Sequence, residues 1–139
     1  MSAESLSIRD VDYLLAIKRA NGAARVSQIS SMVHVAKSTA SLMLKKLMGY
    51  GLVKNVGRGY VLTEKGEEVI KEISWRHAVV ETALAELGIP LDEACRVARL
   101  IELYLPRETV LKLWIALGRP TRCPHGDQIG KVTCCRPLS

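Results

Sequence analysis

The chain has 139 residues, a length that fits one domain or at most two small ones and excludes a large multidomain machine. Hydrophobic residues make up 48% of it, but aromatic residues only 4% with no Phe, so aliphatic side chains must build most of the core. Such a composition favours a folded, mainly helical protein. The sequence has no run of about 18 apolar residues, which a membrane-spanning helix needs, and its first ten residues lack the layout of a secretory signal. We therefore expect a cytoplasmic protein without a membrane partner.

The net charge of +6 is unevenly distributed along the chain. Residues 1–66 contain ten Lys and Arg against four Asp and Glu, whereas residues 67–139 are neutral overall. A basic half joined to a neutral half indicates that the first half meets a polyanion and that the second half has another role. A solvated basic surface without a partner is the alternative.

The first third of the chain predicts three helices. Ser7 and Asp10 have the spacing of a capping box, and apolar residues then recur at helical intervals. The third helix carries apolar residues on one face and short polar and cationic residues on the other. The predicted helices span about 8–20, 26–33 and 37–48, separated by Asn21-Gly22 and His34-Val35.

A β-hairpin is predicted directly after the third helix. Two short β-prone runs, 52–56 and 60–62, flank the sequence Gly57-Arg58-Gly59. Three helices, the last two in tight succession, followed by a hairpin predict an N-terminal winged helix-turn-helix in a mainly α protein.

The second half predicts three further helices and a tail. Thr63 is a plausible N-cap for a long helix over 64–87, which Gly88 closes. Asp92 is expected to cap a helix that ends near Leu105, and Pro106 to open another that ends at Gly118. Residues beyond Arg119 are predicted to be irregular.

The third helix has the properties of a DNA-recognition helix, which must present polar and cationic side chains to base edges and phosphates. Its N-terminal Ser and Thr residues suit bases, its later Lys residues suit phosphates, and an Arg at the hairpin tip suits the backbone or an adjacent minor groove. The predicted contacts to double-stranded DNA are Lys37, Ser38, Thr39, Ser41, Lys45, Lys46 and Arg58.

Three residues of the neutral half have the spacing of a metal site. His77 and Glu81 lie four apart on one face of the long helix, and Cys95 and Glu102 lie seven apart on one face of the next. If the two helices pack antiparallel, His77, Glu81 and Cys95 can converge on one ion, with donors suited to zinc or a similar first-row metal. A surface His–Glu pair beside a small buried Cys is the alternative.

Three of the four Cys residues lie in the last seventeen residues. In a reducing cytoplasm such a cluster more often binds metal or responds to oxidation than forms a disulfide framework. Cys123-Pro124-His125 can complete the His77 site or, with Cys134-Cys135, close a separate zinc site, and a disordered tail is the alternative. The vicinal pair offers one metal ligand or a redox-sensitive thiol. We favour Cys123 and His125 as ligands because they lie closest to the folded body.

The order of these parts resembles the iron- and manganese-dependent repressors of the diphtheria toxin repressor and manganese transport regulator type. The resemblance extends over nearly the whole chain, to about Ile129. It depends on Asp12-Tyr13-Leu14, Val61-Leu62-Thr63-x-x-Gly66, Arg76-His77-Ala78-Val79-Val80-Glu81, Leu87-Gly88-Ile89, Glu93-Ala94-Cys95-Arg96 and Pro124-x-Gly126-x-x-Ile129.

This resemblance implies a homodimer that binds a palindromic operator, with a divalent metal favouring the DNA-competent arrangement. It also implies a division into a DNA-binding domain (1–66), a helical dimerisation and metal-binding domain (67–118) and a Cys- and His-containing tail (119–139). The tail stands where the family usually has an SH3-like domain.

The ligand positions carry over only in part. His77, Glu81 and Cys95 match one of the two family sites, and Asp12 and Glu102 persist from the other. At the remaining positions of that second site stand Arg99, Leu103 and Leu15. Leu cannot ligate a metal, and a cationic Arg is expected to pair with a carboxylate instead. The resemblance therefore implies one working site.

Our leading hypothesis is a metal-responsive, DNA-binding transcriptional regulator, with repression as the family default. The expected cofactor is a divalent transition metal (zinc, iron, manganese, cobalt or nickel), and the sequence does not say which. A metal-independent winged-helix regulator and a thiol-redox regulator remain as alternatives. We do not expect an enzyme, because the sequence has no phosphate-binding Gly-rich loop, nucleophile elbow or evident triad.

Overall fold

The computed structural model describes residues 5–20 and 22–129. These residues divide into two compact units, one formed by Ser7–Ile70 and one by the chain from Lys71 onward together with residues 5–6. The elements are α1 (Ile8–Arg19), α2 (Val26–Val33), α3 (Lys37–Gly49), β1 (Val53–Asn55), β2 (Tyr60–Leu62), α4 (Glu64–Glu86), α5 (Leu91–Ile101) and α6 (Arg107–Ala116).

The first unit has the predicted winged helix-turn-helix arrangement. The capping box starts α1, where the Asp10 amide donates to Ser7 Oγ at 3.1 Å and the Ser7 amide donates to Asp10 Oδ2 at 3.0 Å. Between α2 and α3, His34 adopts a left-handed conformation with φ of 58°, and the Val35 amide donates to the Ser30 carbonyl at 3.0 Å. The positive φ makes the turn sharp enough to lead directly into α3.

The wing is an antiparallel pair of three-residue strands, with Val53 opposite Leu62 and Asn55 opposite Tyr60. Gly59, in the turn just before β2, has φ of +152°, and a Cβ atom there would lie 2.6 Å from the Ala24 carbonyl oxygen. Two hydrogen bonds between Ala24 and Tyr60, of 2.9 and 2.7 Å, hold this approach. A side chain at Gly59 would therefore push the wing away from the chain that precedes α2.

Aliphatic side chains fill the interior of the first unit, as the composition predicts. Apolar residues recur every three or four positions along the three helices and point inward, and β1 closes the arrangement. The buried set includes Val11, Leu14, Leu15, Ile29, Val33, Ala40, Leu44, Leu47, Leu52 and Val53.

In the second unit, the C-terminal part of α4 lies with α5 and α6 around another apolar interior. The buried apolar residues of this unit include Ile73, Ala78, Val79, Val80, Ala94, Ala98, Leu103 and Val110.

Helix α4 begins in the first unit. There the Thr63 hydroxyl accepts a hydrogen bond from the Gly66 amide at 3.1 Å, which confirms the predicted N-cap of α4.

The bounds of α5 differ from the prediction. The helix begins at Leu91 with Pro90 at the N-cap, so Asp92 lies within its first turn rather than capping it. It ends at Ile101 rather than near Leu105. Pro106 has no N–H to donate to the Glu102 carbonyl, so the helix cannot continue there; the buried side chain of Arg76 donates instead, from Nη1 to the carbonyls of Glu102 and Leu105 at 3.1 and 2.6 Å. A side chain thus binds carbonyls at the helix end, where the helix itself leaves carbonyls unpaired.

The part of the tail that the structure describes, residues 121–129, contains no helix or strand, as predicted, and it forms an ordered turn. Arg122 and Gln128 pair as an antiparallel bridge, and the Cys123 amide donates to the Asp127 carbonyl at 2.9 Å. Cys134 and Cys135 lie outside the described residues. No helix of the described chain is long and apolar enough to cross a membrane.

Candidate metal centre and nucleic-acid surface

His77, Glu81 and Cys95 converge in the second unit. Helices α4 and α5 bring their ligand atoms within 4.8 Å of one another. His77 Nε2 lies 3.1 Å from Glu81 Oε2 and 3.6 Å from Cys95 Sγ. His77 and Glu81 are buried, and Cys95 is half-buried. This is the convergence that antiparallel packing of the two helices predicts.

A second group of ligand atoms shares Glu81. Glu81, Cys123 and His125 also lie within 4.8 Å of one another, and His125 Nδ1 is 3.0 Å from Glu81 Oε1. The turn of residues 121–129 supplies Cys123, which is buried, and His125, whose side chain is one-third exposed. Glu81 thus directs its two oxygens to two different histidines.

The other predicted acidic ligands have different surroundings. The Glu102 carboxylate contacts His77 from the opposite side of the ring, at 2.8 Å from Nδ1. Asp12 lies buried in the first unit, where its carboxylate accepts a hydrogen bond from Arg9 at 3.2 Å. Neither ligand group found among the described residues includes Asp12 or Glu102.

The two carboxylates beside His77 make this arrangement suited to a cation. A neutral imidazole carries one N–H, yet both ring nitrogens of His77 face a carboxylate oxygen within 3.1 Å. If Nδ1 donates to Glu102, then Nε2 presents a lone pair toward Glu81 Oε2. Either a second proton or a metal ion must separate these two electron-rich atoms. A metal at this position would receive nitrogen, oxygen and sulfur ligands together.

Arg76 was not among the sequence-predicted site residues, although it precedes His77 directly. Its side chain is fully buried; besides the carbonyls of Glu102 and Leu105, it contacts Glu72 Oε2 through Nε at 3.4 Å. A signal existed in the sequence, because Ile73, Arg76 and Val80 are spaced as one buried helix face. A cation on such a face has to find fixed partners.

The predicted DNA-contacting residues lie in the first unit, mostly on its surface. Lys37, Ser38 and Thr39 are exposed in the first turn of α3, whereas Ser41 is half-buried. Lys45 is exposed further along the helix, and Arg58 is exposed at the tip of the wing. The structure therefore leaves six of the predicted contacts able to reach a ligand without rearrangement of the core, Ser41 being the least accessible of them.

The seventh, Lys46, has a partner within the protein. Its Nζ lies 3.0 Å from Asp10 Oδ1 and 5.7 Å from the centre of the Tyr50 ring. The hydrogen bond to Asp10 raises the pKa of Lys46 above its ordinary value. Because Asp10 is buried and also caps α1, this ion pair ties α3 to the start of α1.

Comparison with known proteins gives two family matches that together cover most of the chain. Residues 11–80 match the winged helix-turn-helix family, and residues 63–131 match the family described as iron dependent repressor, metal binding and dimerisation domain. An uncharacterised HTH-type transcriptional regulator of Aeropyrum pernix is 32% identical over 127 residues, which cover 87% of this chain and 71% of the relative. The chain belongs to the iron-dependent repressor family.

Solved structures of similar proteins show the same fold. A hypothetical protein from Sulfolobus solfataricus superimposes with a TM-score of 0.84 at 35% identity, covering 89% of this chain and 98% of the other. A manganese-dependent transcriptional repressor in complex with manganese gives a TM-score of 0.71 at 31% identity, covering 86% of this chain. This chain spans 57% of the length of that repressor.

Within the iron-dependent repressor family this chain is a winged-helix transcriptional regulator with an altered set of ligand positions. Leu15 and Leu103, where the resemblance places ligands of the second family site, are buried apolar side chains. Because neither can bind a cation, the resemblance leaves the group around His77 as the better-equipped site.

Proposed function

We propose that this protein is a homodimeric, metal-responsive transcriptional repressor whose DNA affinity depends on a divalent transition metal bound by His77, Glu81 and Cys95. The observation that carries the proposal is the convergence of one imidazole nitrogen, one carboxylate oxygen and one sulfur from two helices. Three protein ligands leave one position of a tetrahedral ion for water or a further donor.

The distances between the donors fit a metal ion. Ligands on one tetrahedral zinc, with bonds of about 2.0 Å to nitrogen or oxygen and about 2.3 Å to sulfur, lie about 3.3 to 3.6 Å apart. The corresponding distances here are 3.1 Å from His77 Nε2 to Glu81 Oε2 and 3.6 Å from His77 Nε2 to Cys95 Sγ. A small movement of side chains is enough to admit the ion.

Glu102 supports this site as an outer partner of His77. Histidines that bind metals usually donate their other ring N–H to a carboxylate, which fixes the tautomer and makes the ligand nitrogen more basic. The 2.8 Å contact between Glu102 Oε2 and His77 Nδ1 has this form. Arg76 holds the backbone at Glu102 and thereby positions its carboxylate.

The ligand set favours some metals over others. Sulfur and imidazole donors suit zinc, cobalt, nickel and ferrous iron, whereas magnesium and calcium prefer oxygen alone. Manganese, which the related repressor structure contains, is a harder ion and receives only one oxygen ligand from this group. We therefore place zinc, cobalt, nickel and iron ahead of manganese for this chain.

The first unit supplies the DNA-binding surface. The exposed N-terminal turn of α3 with Lys37, Ser38 and Thr39 suits the major groove, and Arg58 of the wing suits the backbone or an adjacent minor groove. The surplus of basic residues over acidic ones in residues 1–66 supports this role. Double-stranded DNA is the proposed partner.

The second unit supplies the dimer contact. Its family match is described as a metal binding and dimerisation domain, and large apolar side chains stand exposed on it. In a dimerisation domain we expect the partner chain to cover such side chains. The most exposed of these side chains are Leu87, Leu100, Tyr104 and Ile115. A two-fold homodimer would read a palindromic operator with its two recognition helices.

Metal binding would then shift the equilibrium between an arrangement that binds DNA tightly and one that binds it weakly. His77 and Glu81 of α4 and Cys95 of α5 would hold the ion and thereby tie α4 to α5, and α4 is one continuous helix that begins next to the wing. Regulation of this kind needs a difference in binding free energy of about 1–3 kcal/mol between the metal-bound and metal-free states, or about 5- to 150-fold in DNA affinity. We expect the metal-loaded form to bind DNA more tightly, as a repressor that responds to metal excess requires.

The test compares His77→Ala with the wild type. DNA duplexes are first selected from a random pool by the zinc-loaded protein, and affinity is then measured by fluorescence anisotropy with and without zinc. Glu86→Ala, which removes an exposed carboxylate from the same helix, is the matched control. We expect the zinc-dependent gain in affinity to survive in Glu86→Ala and to vanish in His77→Ala. An unchanged gain in a folded His77→Ala protein would contradict the proposal.

A further inference from the structure

We propose that Leu42 contacts the C5-methyl group of a thymine in the major groove and thereby selects one base pair in each half of the operator. This inference rests on the proposed function, since it concerns the DNA that the regulator binds. It starts from an apolar side chain on the helix that the proposed function assigns to the major groove. Leu42 lies in the middle of α3, and it is 68% exposed.

Helix geometry places Leu42 at the centre of the outward face of α3. Consecutive residues of an α-helix are separated by about 100° around the helix axis. Ala40 and Leu44 each lie two positions away from Leu42 and therefore point to the opposite face, where both are fully buried. Leu42 consequently points away from the core of the first unit, toward the ligand that α3 meets.

The neighbours of Leu42 on this face are polar. Residues three or four positions away are the nearest neighbours on a helix surface. Around Leu42 they are exposed, and they are Ser38, Thr39, Lys45 and Lys46. Hydroxyl groups suit base edges and ammonium groups suit phosphates, so the apolar side chain lies between groups that fit the bases and groups that fit the backbone.

The major groove offers one methyl group to such a side chain. The base edges there present hydrogen-bond donors and acceptors, apart from the C5-methyl of thymine. Leu42 can neither donate nor accept a hydrogen bond. A G·C pair against it would lose water from its polar groups without a replacement partner, which is unfavourable. A thymine methyl against the leucine instead removes apolar surface of both partners from water.

Exposure by itself does not distinguish Leu42, because single apolar residues occur on most protein surfaces. Among the large apolar side chains that the structure describes in the first unit, Val56 is also exposed, at 43%. Val56 follows β1 in the wing and does not belong to α3. The argument for Leu42 is its central position on the outward face of α3, and Val56 therefore provides the matched control.

The consequence concerns the sequence of the operator. Phosphate contacts from Lys residues position a protein on any DNA, whereas Leu42 would add a preference for one base. In a two-fold dimer each chain contributes one Leu42, so the preferred thymine would occur once in each half of the operator.

The test removes single methyl groups from the DNA. Duplexes are selected from a random pool by the zinc-loaded full chain, and each thymine is then replaced by deoxyuridine, which pairs with adenine but lacks the C5-methyl. Fluorescence anisotropy measures the affinity. We expect one symmetry-related pair of thymines at which the replacement weakens binding by about fourfold in each half, or about 15-fold in both, as the loss of one buried methyl predicts.

Three variants identify the side chain that senses the methyl group. In Leu42→Ala the effect of deoxyuridine at this position should fall below twofold, because the shorter side chain does not reach the base. Leu42→Met keeps the length and the apolar character, and Val56→Ala changes an exposed apolar residue outside α3, so both should retain the effect. Circular dichroism should show that each variant is folded.

The outcomes separate this inference from the proposed function. Equal effects of deoxyuridine in the wild type and Leu42→Ala at every position would overturn the contact, while zinc-dependent binding of the selected DNA would leave the proposed function intact. Binding that does not depend on zinc, with an effect lost in Leu42→Ala, would overturn the metal response and support the contact. Failure of the zinc-loaded protein to select any DNA sequence would overturn both.

Discussion

Glu102 Oε2 lies 2.8 Å from His77 Nδ1, on the side of the ring opposite Glu81 and Cys95. The sequence resemblance implies that Glu102 belongs to a metal site of its own. At a position where such a site would need another ligand, this chain has Leu103, which is buried and apolar. In the proposed function Glu102 is instead the outer carboxylate of the His77 site, where it would hold the imidazole tautomer that presents Nε2 to a metal.

We expect Glu102→Gln to weaken zinc binding by about 10- to 100-fold without changing the number of ions bound. The amide oxygen can still accept a hydrogen bond from the Nδ1–H group, but it lacks the negative charge that makes the imidazole more basic. Competition with a chelating dye measures the affinity, and Glu93→Gln, an exposed change on α5, serves as control. Loss of one whole zinc equivalent would identify Glu102 as a direct ligand.

Arg76→Met is expected to lower the free energy of unfolding by about 3 kcal/mol. The variant keeps the volume of the side chain but leaves the carbonyls of Glu102 and Leu105 without their buried donor. Urea denaturation measures the loss. Arg107→Met is the matched control, because Arg107 also pairs with Glu72, yet its side chain is 60% exposed. Its cost should stay below about 1 kcal/mol; equal losses in the two variants would contradict a special role for Arg76.

Lys45→Ala is expected to weaken DNA binding on all sequences alike and to reduce the salt dependence of the affinity by about one unit in the logarithmic slope. The exposed ammonium of Lys45 suits a phosphate contact. Anisotropy titrations at several salt concentrations measure the slope. Lys112→Ala, an exposed change on α6, should leave it unchanged. The same slope in Lys45→Ala and the wild type would remove Lys45 from the DNA contact.

Lys46→Ala is expected to act on stability, with a loss of about 1 kcal/mol in the free energy of unfolding. Its ammonium pairs with the buried Asp10, which raises the pKa of Lys46 in the folded protein. A raised folded pKa means that the stabilisation is complete below the unfolded value of about 10.4 and disappears as the pH rises through the folded value. Urea denaturation at pH 7 and above pH 11 should therefore show a difference between wild type and variant that shrinks at high pH. A constant difference would exclude the ion pair as its source.

The sequence predicted those features that depend only on residues close together in the chain. The capping box of Ser7 and Asp10, the N-cap Thr63 and the hairpin around Gly57-Arg58-Gly59 depend on contacts within a few residues, and each was predicted. The spacing of His77 and Glu81 likewise follows from the period of a helix.

Contacts between residues far apart in sequence could not be predicted from helical periodicity. The guanidinium of Arg76 binds carbonyls 26 and 29 residues away in sequence, just beyond the end of α5, and no local pattern encodes such a distance. Lys46 could be placed on the polar face of α3, but its pairing with Asp10 depends on how α3 packs against α1.

The sequence alone therefore determined the winged helix, the order of the helices and the ligand types available, because periodicity, capping residues and donor chemistry are local properties. Only the tertiary structure decided that Glu102 faces the outer nitrogen of His77 and that Glu81 stands between His77 and His125. These relations join residues 25 and 44 positions apart, and they arise from the packing of α5 and of the turn at residues 121–129 against one face of α4.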